Sequence, residues 1–231
     1  VINPGVFLGV LVQLALLGTL DAVAGLGPLG WLAGAAYGLA VGGFLTYGLN
    51  RSTARSLGPA DAVTLARSGL VGCVTALVVD TAGREIVAMV VLASVALALD
   101  AVDGQVARRT GTASPLGARF DMEVDAYLIL ILSVVVAQVL GPWVLTIGAM
   151  RYVFVVAGRL WPWLNTPLPP SMARKTVAAV QGIVLVVAAS AILPLWAGFM
   201  VTLGALALLA WSFGRDTWWL LEQHAFTAAP A

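Results

Sequence analysis

The sequence predicts an all-α fold, a polytopic integral membrane helical bundle, and three observations carry that prediction. Of its 231 residues, 61% are hydrophobic and 10% charged, whereas soluble domains run at about 45–50% apolar and about 25% charged. So few polar groups cannot cover the surface of a water-soluble domain of this size. The apolar segments also reach the roughly 17–25 residues that a helix needs to cross a bilayer. Alternation with period two is missing, so helices rather than strands are left to satisfy the backbone inside lipid.

Hydropathy punctuated by Gly, Pro and charge divides the chain into eight spans, at 6–26, 29–47, 62–80, 86–105, 116–140, 143–160, 175–193 and 196–213. The first has no basic residues before it and no small-residue cleavage site after it, so it is expected to be a retained helix rather than a secretory signal. "GLGP" turns it into the second, which ends at the polar connection 48–61. "DTAGRE" separates the third from the fourth, and the polar connection 106–115 separates the fourth from the fifth. "GP" divides the fifth from the sixth, the connection 161–174 precedes the seventh, and "LPLW" leads into the eighth.

Charge and cysteine usage exclude several functions. A net charge of +1 leaves no broad basic face for a nucleic-acid partner. The single Cys73 excludes an internal disulfide, and one Cys with one His cannot build a zinc site of the usual nitrogen and sulfur type. Cys73, in an apolar run, is expected to be a packing residue. With the 106–115 connection on the cytoplasmic side, eleven of the twelve basic residues fall on or toward that side and only Arg84 lies outside. This asymmetry predicts a multi-pass protein of the cell membrane with both ends cytoplasmic. Trp161, Trp163, Trp211, Trp218 and Trp219 fall near predicted helix ends, as interfacial anchors do.

Against this background "LDAVDGQVARRTGTASPLGARFDMEVDAYL" collects five carboxylates within thirty residues. Residues three or four apart share a helix face, so Asp100, Asp103, Ala107 and Arg108 line one side of the fourth helix. Asp121 and Asp125 line one side of the fifth, with Glu123 out of phase. The short connection makes these helices neighbours, so four aspartates are expected to converge at the cytoplasmic face. Together they need a compensating cation, and oxygen-only ligands suit Mg²⁺, Mn²⁺ or Ca²⁺. Two such ions can polarise a phosphate and leave one carboxylate to take a proton. Gly104, Ala107 and Gly117 leave room for a close backbone approach, and Arg108 suits phosphate oxygens. The plainer alternative is that the acids solvate a helix end or pair with the nearby Arg108, Arg109 and Arg119; four acids on matching faces of adjacent membrane helices argue against it.

The pattern Asp100-x2-Asp103-Gly104-x2-Ala107-Arg108-x8-Gly117-x3-Asp121-x3-Asp125 resembles the full motif of the CDP-alcohol phosphotransferases, membrane enzymes of phospholipid biosynthesis. The resemblance implies that an acceptor hydroxyl attacks the β-phosphorus of a CDP-linked lipid, most readily CDP-diacylglycerol, and that CMP leaves. It implies that Asp100, Asp103 and Asp121 ligate two Mg²⁺ or Mn²⁺ ions. Asp125 stands beside them as a further metal contact and the general base. Gly104, Ala107, Gly117 and Arg108 then bind the nucleotide. Upstream, "GPADAVTLAR" resembles the start of the family's first core helix, which puts Asp61, Thr64 and Arg67 beside the nucleotide; read alone, the same stretch is a helix N-terminus with Asp61 in its first turn. The resemblance covers a six-helix catalytic core at 51–215. A two-helix extension (1–50) precedes it and a cytoplasmic or interfacial tail (216–231) follows. Membrane lipids surround the bundle, and a homodimer is expected by resemblance alone.

On the acceptor side, Arg174 and Lys175 open the seventh span, and Arg151 lies near the middle of the sixth, where a guanidinium needs a polar cavity. These three predict an acceptor that carries a phosphate, glycerol phosphate or inositol phosphate. Two other functions compete. Polyprenyl-phosphate sugar-phosphate transferases also use intramembrane acids but lack this glycine and arginine spacing. A divalent-cation transporter would hold its acids near mid-bilayer.

Overall fold

A computed structural model describes residues 4–51, 59–81, 85–110, 114–169 and 171–228, with the side chains of 59–60, 81, 101, 103–110 and 226–228 outside the description. All regular structure among the described residues is helical: α1 (Pro4–Ala24), α2 (Pro28–Arg51), α3 (Pro59–Thr81), α4 (Ile86–Thr110), α5 (Pro115–Leu140), α6 (Leu145–Leu160), α7 (Met172–Ala189) and α8 (Leu195–Ala228). Proline opens α1, α2, α3 and α5, where its missing N–H costs nothing and its fixed φ suits the first turn. The turns at Gly25 and Gly141 use positive φ (69° and 103°), which glycine adopts without a Cβ penalty.

Among the described residues, seven helices are long and apolar enough to cross a membrane. In α4 the described residues Ile86–Asp100 form a shorter apolar segment, and the sequence after it carries Asp103, Arg108 and Arg109. The helix nevertheless runs to Thr110, five residues beyond the expected end of the span. The last helix departs further from expectation. It does not stop at 213 but continues unbroken for 34 residues to Ala228, roughly 51 Å at 1.5 Å per residue, against a hydrocarbon core of roughly 30 Å. Hydropathy drops at Arg215 and Asp216, but helicity does not. Their side chains pair at 2.9 Å, and Trp218 Nε1 donates to Glu222 four residues on at 2.7 Å.

Contacts divide the chain into two compact units, Val1–Ile131 and Leu132–Ala231. In the first, α3 packs on α1, α2 and α4. The α2 side of this packing is a row of buried glycines at four-residue intervals, Gly30, Gly34, Gly38 and Gly42. Close helix approach in lipid depends on such small residues: Leu17 of α1 and Ala76 of α3 close on Gly34, and Gln13 of α1 lies against Gly38. At the far end of α3 the Asp80 carboxylate accepts the Gly27 N–H at 2.7 Å, which ties the α1–α2 turn to α3. Cys73 is buried and free, as a packing residue should be.

The second unit is held by α7 on α8, with the buried Gln181 Nε2 donating to the Ala205 carbonyl at 2.9 Å. Phe154 meets Phe213 edge-on at 5.5 Å, and Trp163 stacks on His224 at 5.7 Å.

Candidate functional site

The site is built where α3, α4 and α5 meet in the first unit. Ser114 caps α5: its Oγ accepts the Gly117 N–H at 2.8 Å, with Pro115 as the first helical residue. From that start Asp121 and Asp125 stand one turn apart and emerge on the same face. On α3, Asp61, Thr64 and Arg67 recur every three residues, and all are buried, at 9%, 4% and 1% exposure. The Asp61 carboxylate lies against Gly117, in the space a Cβ there would take.

Arg67 reaches across to the acids. Its Nη1 donates to Asp100 Oδ1 at 2.6 Å and to Asp125 Oδ1 at 2.7 Å, and its Nη2 donates to Asp121 Oδ1. The guanidinium is fully enclosed, while the three carboxylates keep about a third of their side-chain surface open (38%, 35% and 33%). Among the described residues the acids do pair with an arginine, and it comes from a different helix, α3.

One carboxylate oxygen from each of Asp100, Asp121 and Asp125 lies within 4.8 Å of the other two. Three hard oxygen donors, partly open on one side, fit a divalent cation of the Mg²⁺ or Mn²⁺ type and would not select zinc. Convergence of the α4 and α5 acids is thus as expected for three of the four aspartates. The side chains of Asp103, Gly104, Ala107 and Arg108, all on the helical second half of α4, lie outside the described residues.

The residues expected to hold an acceptor phosphate belong to the second unit. Arg151 is half-buried midway along α6, and Lys175 is exposed in the first turn of α7. Arg174 donates to Asp216 Oδ2 at 3.4 Å and to the Pro169 carbonyl. Asp216 also holds Arg215, so one carboxylate gathers two guanidinium groups. Sequence reasoning passed over Asp216; its signal was an acid beside an arginine late in an apolar helix.

Fold and site together define a polytopic membrane protein whose α4 and α5 bring three carboxylates together over an arginine from α3. The chain belongs to the CDP-alcohol phosphatidyltransferase family, whose model matches residues 58–213. Members of this family transfer a phosphatidyl group from a CDP-alcohol and typically depend on a divalent metal. The match begins one residue before α3, so α1 and α2 lie outside it. No curated protein and no solved structure matches the chain.

Proposed function

We propose that the protein transfers a phosphatidyl group from a CDP-linked lipid, CDP-diacylglycerol by preference, to a phosphorylated alcohol such as glycerol phosphate or inositol phosphate, releasing CMP as a step of phospholipid biosynthesis. The observation that carries this reading is the convergence of Asp100, Asp121 and Asp125 within the segment that matches the family. Family membership favours it over sugar-phosphate transfer to a polyprenyl carrier and over cation transport.

In this reading Asp100, Asp103 and Asp121 hold two Mg²⁺ or Mn²⁺ ions, with Asp125 beside them. When bound, the ions neutralise the pyrophosphate and stabilise the charge that develops on the leaving phosphate. Asp125 takes the proton from the acceptor hydroxyl as its oxygen bonds to the β-phosphorus. The bond between that phosphorus and the bridging oxygen breaks, and CMP departs with the electron pair. Asp61, Thr64, Arg67, Gly104, Ala107, Arg108 and Gly117 line the nucleotide: the small residues admit it to the backbone, and Arg108 offers a planar fork to its phosphates. Arg151, Arg174 and Lys175 hold the acceptor phosphate.

The same reading makes 51–215 the catalytic core, 1–50 an added transmembrane extension and 216–231 a cytoplasmic or interfacial tail. It places a homodimer in the cell membrane with the site open to the cytoplasm, as the eleven-to-one distribution of basic residues supports. To test it, purified protein is incubated with CDP-diacylglycerol, Mn²⁺ and a panel of alcohols and alcohol phosphates, and the lipid product is weighed by mass spectrometry. A phosphatidyl-alcohol phosphate that requires Mn²⁺ and disappears in Asp125→Asn is the expected result. Product formation unaffected by chelation overturns the metal mechanism, and a preference for neutral alcohols overturns the acceptor assignment.

A further inference from the structure

We infer that Arg67 is a built-in counter-ion of the aspartate site: it keeps the carboxylates assembled when no metal is bound, and it weakens cation binding enough to make the metal exchangeable. This inference rests on the metal-binding reading above and gives Arg67, beyond its proposed place beside the nucleotide, a positioning role exerted through the aspartates.

Three geometric facts support it. The Arg67 guanidinium contacts all three carboxylates that can share a cation, one from α4 and two from α5. It is 1% exposed whereas each carboxylate is about one-third exposed, so the arginine forms the floor and the acids the rim. Its backbone is fixed in α3, which is buried by α1, α2 and α4. The positive charge is therefore a permanent part of the site rather than a mobile surface group.

Electrostatics gives the sign of the effect. Three carboxylates held this closely repel one another, and an arginine donating to all three offsets that repulsion and keeps them close together without a metal. The same fixed charge repels an incoming dication, at a range where Coulomb terms are large even with protein screening. Arg67 thus substitutes in part for the cation: it lowers the stability gained from metal and lowers the metal's affinity. A divalent ion then binds well only with a further source of negative charge on the open side, and a nucleoside diphosphate ester supplies it. The metal is expected to arrive with, or be held by, the pyrophosphate of the substrate.

The test compares the full-length parent, Arg67→Met and Arg67→Lys in detergent, using Mn²⁺ alone as the probe. Electron paramagnetic resonance titration gives Mn²⁺ affinity, and thermal unfolding is followed in EDTA and in saturating Mn²⁺. Arg67→Met is expected to bind Mn²⁺ at least about tenfold more tightly than the parent, to melt earlier in EDTA and to gain more from Mn²⁺. Recovery of folded Arg67→Met only with Mn²⁺ present is the same dependence in stronger form. If that variant is not recovered at all, Arg67→Lys decides, since an ammonium cannot span three carboxylates as the guanidinium fork does: a larger Mn²⁺-induced rise in melting temperature than the parent's supports the inference, and an equal or smaller rise overturns it. Parent-like or weaker Mn²⁺ binding by Arg67→Met also overturns the inference while leaving the metal site standing. Failure of the parent and both variants to bind Mn²⁺ removes the metal-binding reading itself.

Discussion

The carboxylate of Asp61 occupies the space in which residue 117 would carry a Cβ, so α3 and α5 touch at the site through an acid on one helix and a bare backbone on the other. Two residues of the predicted nucleotide pocket, 56 positions apart in the chain, are thereby direct neighbours. Gly117→Ala forces Asp61 or the start of α5 to move. Overpacking of this kind costs about 1–3 kcal/mol, and the displaced group lies one turn from Asp121. The expected outcome is a lower melting temperature and a rise of about tenfold or more in the KM for the CDP-linked lipid. A variant with the parent's KM and melting temperature would show that this contact is not needed.

Asp125 and Asp100 both accept from Arg67 Nη1, and the proposed mechanism gives only Asp125 a proton to take. If Asp125 is the base, Asp125→Asn should slow CMP release in single turnover by about 100-fold or more while Mn²⁺ still binds. Asp100→Asn should instead weaken Mn²⁺ binding, and excess Mn²⁺ should restore part of its rate. Retention of more than a tenth of the parent rate by Asp125→Asn would remove it from the proton-transfer step.

The sequence made the helices and the acids legible for one reason: both are periodic. Hydropathy over twenty residues marks a span, and a four-residue spacing places Asp121 and Asp125 on one face without knowledge of any partner. Arg67 was legible as a motif residue but not in its aim, because its carboxylate partners are 33 to 58 residues away and only helix packing decides which face of α3 meets them. The apolar span at 196–213 does not mark the end of helix α8, for a related reason. Polarity at Arg215 and Asp216 marks the limit of apolar composition, whereas helicity depends on local pairing, and the Trp218–Glu222 hydrogen bond, four residues apart, supports it. The glycine row of α2 was equally visible, but spacing alone does not say that α1 and α3 would fill it.

That row bears on the two helices outside the family match. Gln13 of α1 is 3% exposed, and its amide sits where a Cβ on Gly72 of α3 would fall, with Gly38 of α2 on another side. Gly72 is five residues from Arg67, so a shift of α3 at this point reaches the aspartates. Gly72→Ala is expected to cost about 1–3 kcal/mol through overpacking and to lower turnover. Gln13→Ala in the same chain opens the space and should restore much of both, a coupling that a double-mutant cycle measures directly. Strict additivity of the two substitutions would show that α1 does not press on α3 there.

Asp216 holds Arg174 at 3.4 Å and Arg215 at 2.9 Å, and the longer of the two contacts is to the residue expected to grip the acceptor. A phosphate dianion offers Arg174 a shorter, bidentate pairing than this carboxylate does, so acceptor binding should draw the guanidinium away while Asp216 remains on Arg215. Arg174→Ala is then expected to raise the KM for a phosphorylated alcohol about tenfold, equivalent to about 1.4 kcal/mol, with the KM for the CDP-linked lipid unchanged. Asp216→Asn leaves two like charges side by side. Because both guanidinium groups are partly exposed, the stability cost should be about 1 kcal/mol or less. The same KM should rise by a smaller factor, about threefold, and that rise should shrink in high salt as the repulsion is screened. Equal effects of Arg174→Ala on the donor and acceptor KM values would place this arginine in general folding rather than at the acceptor phosphate.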